Sequence, residues 1–158
     1  MLAAVLATST AAAQDEPLPQ EVGRAYLDYQ AALQAGDAEA LLEAGQRAFE
    51  AGEAAEIDRG VLATLSENYG FAASLNGEYE QAQQAWREAA RLSDRANADP
   101  VERAWRWHNA ALVALQLSDM LDAYACSRNA QLALDDLDGE LGDAASFAGD
   151  ALLTRALT

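Results

Sequence analysis

Few residues of this 158-residue chain have the type and spacing to do chemistry. His108, beside Trp107, is the sole histidine. An imidazole acts as a general base only with a proton to abstract nearby, and a zinc site needs three or four ligands. No second His or Cys stands at ligand spacing, and no Gly-x-Ser-x-Gly, phosphate loop or His-Glu-x-x-His is present. Asp136-Leu137-Asp138-Gly139 resembles part of a calcium loop, but Leu134 takes the first ligand place and Ala145 the twelfth. A solvated turn is the better reading of it. Cys126 is the single cysteine, so no intrachain disulfide forms. Arg87, Arg91 and Arg95 form an i, i+4, i+8 row. They suit either a solvated helix face or contact with an acidic surface. The sequence thus predicts no enzyme activity, no metal and no cofactor.

Charge narrows the partners. The formal net charge is −16, from 26 acids against 10 basic residues, all of them arginine. Nucleic acid and anionic membrane surfaces are disfavoured. Residues 14–58 hold 11 acids and two arginines, whereas 59–107 hold seven acids and six arginines. The acidic ends and balanced middle leave a homo-oligomer open.

The elements that must position these residues follow a period of 41. Gly36-Asp37, Gly77-Glu78 and Ser118-Asp119 are spaced by that interval. So are Ala32, Ala73 and Ala114 before the pairs, and Ala48, Ala89 and Ala130 after them. A fixed period in this range signals stacked supersecondary units. About a quarter of the chain is alanine and only three residues are proline, a composition that favours helix. Apolar residues at three- and four-residue spacing predict helices over 21–35, from Asp37 through Phe49, over 57–76, from Tyr79 through Leu92, from Asp99-Pro100 through Leu117, and over 119–134. Asp37 and Asp99 are expected N-caps, with Pro100 at the first helical position. Cys126 falls where the earlier units have Ala44 and Ala85. That register predicts a small buried helix residue, the alternative being a free thiol or an intermolecular bridge.

The ends read differently. Residues 1–13 are small and apolar and finish in Ala-x-Ala, the pattern of a secretory signal peptide, although no basic residue precedes the apolar run. The run is too short to span a bilayer. Export is favoured over a cytosolic tail. Residues 14–20 read as a linker and 21–158 as one helical-repeat domain. Beyond an acidic turn at 135–143, Phe147, Leu152, Leu153, Ala156 and Leu157 predict a last helix in register with the first helix of each unit. An unpaired terminal helix would cap the array.

These residues resemble the tetratricopeptide-repeat (TPR) family, which stacks helix pairs of about 34 residues. The match is best over residues 63–96. There Gly70 is the small first-helix residue, Gly77 the turn, Tyr79 the start of the second helix, and Ala82, Trp86 and Ala89 the small-aromatic-small series. The third unit keeps Trp107, Asn109, Ala111, Ala123 and Ala130, with Ser118 for the turn glycine and Ser127 for an aromatic. The resemblance implies an all-α superhelix or solenoid of three helix pairs plus a C-terminal capping helix. The seven residues beyond the usual unit fall around 52–58 and 93–99, as added helical turns or longer loops. A more general α-α solenoid is the alternative.

The family's ligands lie in the groove lined by the first helices. Carried over by position, the resemblance points to Tyr26 and Gln30, to Glu67, Phe71 and Ser74, and to Trp105, His108, Leu112 and Leu115. The lysines that clamp a terminal carboxylate in one branch of the family have no counterpart in this chain. The expectation is therefore a non-catalytic protein- or peptide-binding scaffold, exported to the periplasm of a bacterial cell envelope. The competing expectation is a structural, self-assembling subunit of an envelope complex.

Overall fold

The computed structural model describes residues 17–135, which form six helices with no strand among them. They are α1 (Gln20–Ala35), α2 (Ala38–Ala54), α3 (Arg59–Leu75), α4 (Tyr79–Arg95), α5 (Pro100–Gln116) and α6 (Met120–Asp135). The fold of this part is all-α. Each helix packs chiefly on its neighbours in the chain. The signal peptide expected over 1–13, the acidic turn beyond Asp135 and the expected last helix lie outside the described residues.

The period of 41 is present in the backbone. Helices α2, α4 and α6 begin at residues 38, 79 and 120, and α3 and α5 at 59 and 100. The turn inside each pair places one residue in the left-handed region: Gly36 (φ 68°), Gly77 (φ 76°) and Ser118 (φ 59°). The following amide then bonds back five residues, from Asp37 to the Ala32 carbonyl, Glu78 to Ala73 and Asp119 to Ala114. This closure satisfies carbonyls that a helix end leaves open. The turns between pairs repeat as well, with Glu56 at φ 51° and Asn97 at φ 49°.

Caps fix the starts. The Asp37 carboxylate accepts from the Ala40 amide, Asp58 from Gly60 and Val61, Asp99 from Val101, and Asp119 from Asp122. Glu78 makes no such bond, since its longer side chain fits the cap position poorly. With α2 and α4 running 17 residues each, the connections between pairs keep only residues 55–58 and 96–99. The extra length relative to the family's unit therefore lengthens helices and does not build long loops.

The core is mostly alanine, so a few rings do the space-filling. Trp86 of α4 lies over Gly70 of α3, where an added Cβ would stand 3.0 Å from the indole. One period earlier the sizes are exchanged: Tyr29 of α1 lies over Gly45 of α2, at 3.5 Å from a Cβ placed there. In each of the first two pairs one ring fills the gap, from either side, whereas the third pair has Ala111 and Ser127 at these positions. Buried hydroxyls are satisfied by backbone carbonyls, Ser66 donating across to Ala85 of α4 and Ser93 to Ala90 of its own helix. Among the described residues no buried side-chain polar atom lacks a partner, as burial without one would be costly.

Candidate functional site

Eight of the nine expected groove residues lie at equivalent places on the first helices, Trp105 standing instead where the earlier ones have Gly23 and Thr64. Tyr26, Glu67 and His108 share one register, Gln30, Phe71 and Leu112 a second, and Ser74 and Leu115 a third, each spaced by 41. None of the nine is buried. Phe71 is 38% and Trp105 52% exposed, large values for aromatic rings. Trp105 stacks on His108 with ring centroids 6.0 Å apart, and the Asn109 amide donates to the Trp105 carbonyl. Burial pushes the His108 pKa below its ordinary value, which favours the neutral imidazole. Tyr26 stacks on the buried Tyr29 at 6.4 Å.

Two of the nine are engaged inside the molecule. Glu67 accepts from Arg106 Nε at 2.9 Å, a contact that ties α3 to α5. Ser74 donates to the Gly70 carbonyl and accepts, at 3.4 Å, from the Trp86 indole. Both act in packing, and their side chains are less available to a ligand than Phe71 or Trp105. Arg106 is itself buried and also meets Glu102 at 3.7 Å. Arg103 bonds Asp94, whose second oxygen accepts from the Trp107 indole. The basic residues of α5 thus have carboxylate partners.

Other expectations change in detail. Arg87 is not only a solvated side chain, because it forms an ion pair with Asp122 of α6 at 2.9 Å. Asp122 in turn accepts from Gln83 at 2.6 Å. Arg91 meets only Glu88 at 3.9 Å and remains largely exposed. Cys126 is buried. Its burial, with the Asp122 carboxylate nearby, pushes the thiol up to about 12, so it is no nucleophile at neutral pH.

One feature had no signal in the sequence. A cleft of about 420 Å³ opens between α1 and α2, lined by Glu21, Arg24, Ala25, Asp28, Arg47, Glu50 and Ala51. Its residues come from two helices and both charge signs, with Arg47 pairing Asp28 across it at 3.3 Å. No periodicity or motif groups them. Among the described residues no set of His, Cys, Asp or Glu could hold a metal, and no helix is long and apolar enough to cross a membrane.

Compared with known proteins, the chain matches no family model and no curated protein. The class that fold and surface define is an all-α protein of consecutively packed helices with a fixed period.

Proposed function

We propose that this chain is a non-catalytic, TPR-like solenoid that binds a protein or peptide partner across the exposed face of its first helices. The observation that supports this most directly is the exposure of Phe71 and Trp105 on a fold that buries the rings of Tyr29, Trp86 and Trp107. Aromatic rings that a fold leaves exposed suit a partner's apolar side chains. The field of the whole acidic chain favours a partner of low or positive charge. Export to the periplasm, proposed from the Ala-x-Ala ending of residues 1–13, makes the partner an envelope component.

The experiment is crosslinking and affinity capture from the envelope fraction with the wild-type chain and a Trp105→Ala/Phe71→Ala variant of matched stability. Capture that drops at least tenfold in the variant supports the surface. Equal recovery removes it.

Self-association is the second reading, favoured by charge. The outward residues Glu39, Glu43, Glu50 and Glu53 of α2 are acidic, whereas Arg91 and Arg95 are exposed on α4. A salt-sensitive dimer of the purified chain would support it.

A further inference from the structure

Trp105 has no counterpart in the repeat. One and two periods earlier the same place holds Thr64 and Gly23, so the helix pairs stack without a ring there. Trp105 stays more than half exposed although it stacks on His108. The charges beside it are layered. Glu102, one turn from Trp105 on α5, and Glu67, one turn from Phe71 on α3, both meet Arg106, at 3.7 and 2.9 Å. The Arg106 side chain is 6% exposed, whereas those of Glu67 and Glu102 are 27% and 33% exposed. The cation lies underneath and the anions face out. Two carboxylates against one guanidinium also leave one negative charge in excess. His108 adds nothing against it, since burial lowers its pKa and keeps the imidazole uncharged at neutral pH.

We propose that this part of α5 recognises an arginine side chain of a partner peptide, its guanidinium stacked on the Trp105 ring with its charge facing the Glu102 carboxylate. This rests on the reading that the first-helix face binds a partner, and it adds what that partner carries. The face of an indole attracts a cation, and guanidinium is a planar, weakly hydrated one that stacks on a ring and pairs with a carboxylate at once. A purely apolar side chain would cover Trp105 equally well. It would also take the outward Glu102 oxygens from water without pairing them, which is costly. An acidic segment meets repulsion from the same oxygens and from a chain of net charge −16.

Two blocked peptides test this, acetyl-Leu-Ala-Arg-Ala-Leu-amide and the same peptide with citrulline in place of arginine. Citrulline keeps the length and planar end of the side chain but carries no charge. Indole N–H signals in NMR spectra follow each titration. Trp86 and Trp107, buried and bonded to Ser74 and Asp94, serve as internal references. The arginine peptide is expected to shift the Trp105 signal saturably, with a Kd about fivefold below that of the citrulline peptide, the size of an exposed cation–π contact. In Trp105→Leu, followed through the backbone amides of α5, that preference is expected to fall below about twofold as the contact is lost. Unmoved Trp86 and Trp107 signals show that the variant is folded. A second variant, Glu102→Gln, leaves Arg106 paired with Glu67 and is expected to lower the preference about twofold, as for one exposed charge pair. A preference unchanged in both variants would belong to the net charge of the chain and overturn the proposal. Equal affinity of the two peptides for the wild type would overturn it while leaving the binding face in place. The absence of any saturable shift with the arginine peptide would overturn it too, and the envelope capture then judges the face separately.

Discussion

At the scale of single residues, two glycines at the same kind of site have opposite expected behaviour. Both Gly23 and Gly70 lie inside helices, where alanine is favoured by about 1 kcal/mol through propensity. A Cβ on Gly23 meets nothing within 4 Å, whereas one on Gly70 meets the Trp86 ring at 3.0 Å. An indole held between helices yields little, and overpacking costs about 1–3 kcal/mol. Gly23→Ala is therefore expected to stabilise the chain by about 0.5–1 kcal/mol, and Gly70→Ala to destabilise it by about 1 kcal/mol net. Urea unfolding measures both, and a stabilising Gly70→Ala would contradict the packing argument.

Cys126 carries a pH dependence of definite sign. Its thiol is pushed from 9.0 to about 12 in the folded chain, chiefly by burial. Below about pH 9 both states hold the proton, and the buried thiol's contribution is complete. Between about 9 and 12 only the unfolded chain ionises, so stability falls as pH rises. Tyr29 and Tyr69 are also pushed up by burial, which deepens the alkaline loss but is common to wild type and variant. Between pH 8 and pH 10, Cys126→Ala is expected to lose less stability than wild type in paired urea titrations. Equal losses would mean that the thiol is accessible in the native chain.

At the scale of elements, the joint between pairs two and three, formed chiefly by α4 against α5, includes a charge that composition alone places outside. Arg106 has a side chain only 6% exposed, with Glu67 at 2.9 Å and 27% exposed. Removing Glu67 leaves the buried guanidinium with only the longer contact to Glu102 at 3.7 Å, and that contact and the partial exposure of Glu67 moderate the cost. Glu67→Ala is expected to destabilise by about 2 kcal/mol. Glu67→Leu/Arg106→Met is expected to recover most of that. A double-mutant cycle measures the coupling, and a coupling near zero would show that the joint is held by the α4–α5 packing without this ion pair.

The same joint shows what was legible beforehand. Asp37 and Asp99 announced helix starts, and Gly36 and Gly77 announced the turns inside the pairs, because each residue type has a local physical reason to be there. Those signals, with apolar spacing, located six helices to within a few residues of their ends. The turns at Glu56 and Asn97 were not legible as left-handed, since neither is glycine and the conformation is imposed by the connection. The Arg106–Glu67 and Gln83–Asp122 contacts were hidden too. Each joins residues 39 apart, and a sequence holds no sign of which distant carboxylate a buried cation will meet. Of the candidate surface, the resemblance supplied the expected face, and packing reveals that Glu67 and Ser74 are engaged while Phe71 and Trp105 are open.

At the scale of the whole molecule, the balance of charge makes a prediction opposite to the one that ion pairs alone would suggest. Salt weakens exposed pairs such as Arg47–Asp28, whose side chains are 59% and 48% exposed, but each is worth only about 0–1 kcal/mol. It also screens repulsion among 26 acids opposed by 10 arginines. Two like charges about 10 Å apart in water repel by roughly 0.4 kcal/mol, and that separation is one Debye length at about 0.1 M salt. The excess of 16 negative charges is concentrated towards the ends of the sequence, so many weak repulsions add while the attractive pairs are few. Repulsion dominates. Raising sodium chloride from about 0.01 to 0.2 M, a range that spans the change in screening, is expected to stabilise the chain by about 1 kcal/mol, or roughly 3 °C in Tm. Chloride is preferred to sulfate, which stabilises folded chains by exclusion from their surface whatever their charge. Scanning calorimetry reads the shift, and a Tm that falls with chloride would mean that specific ion pairs, Arg106–Glu67 and Arg87–Asp122 foremost, outweigh the net charge.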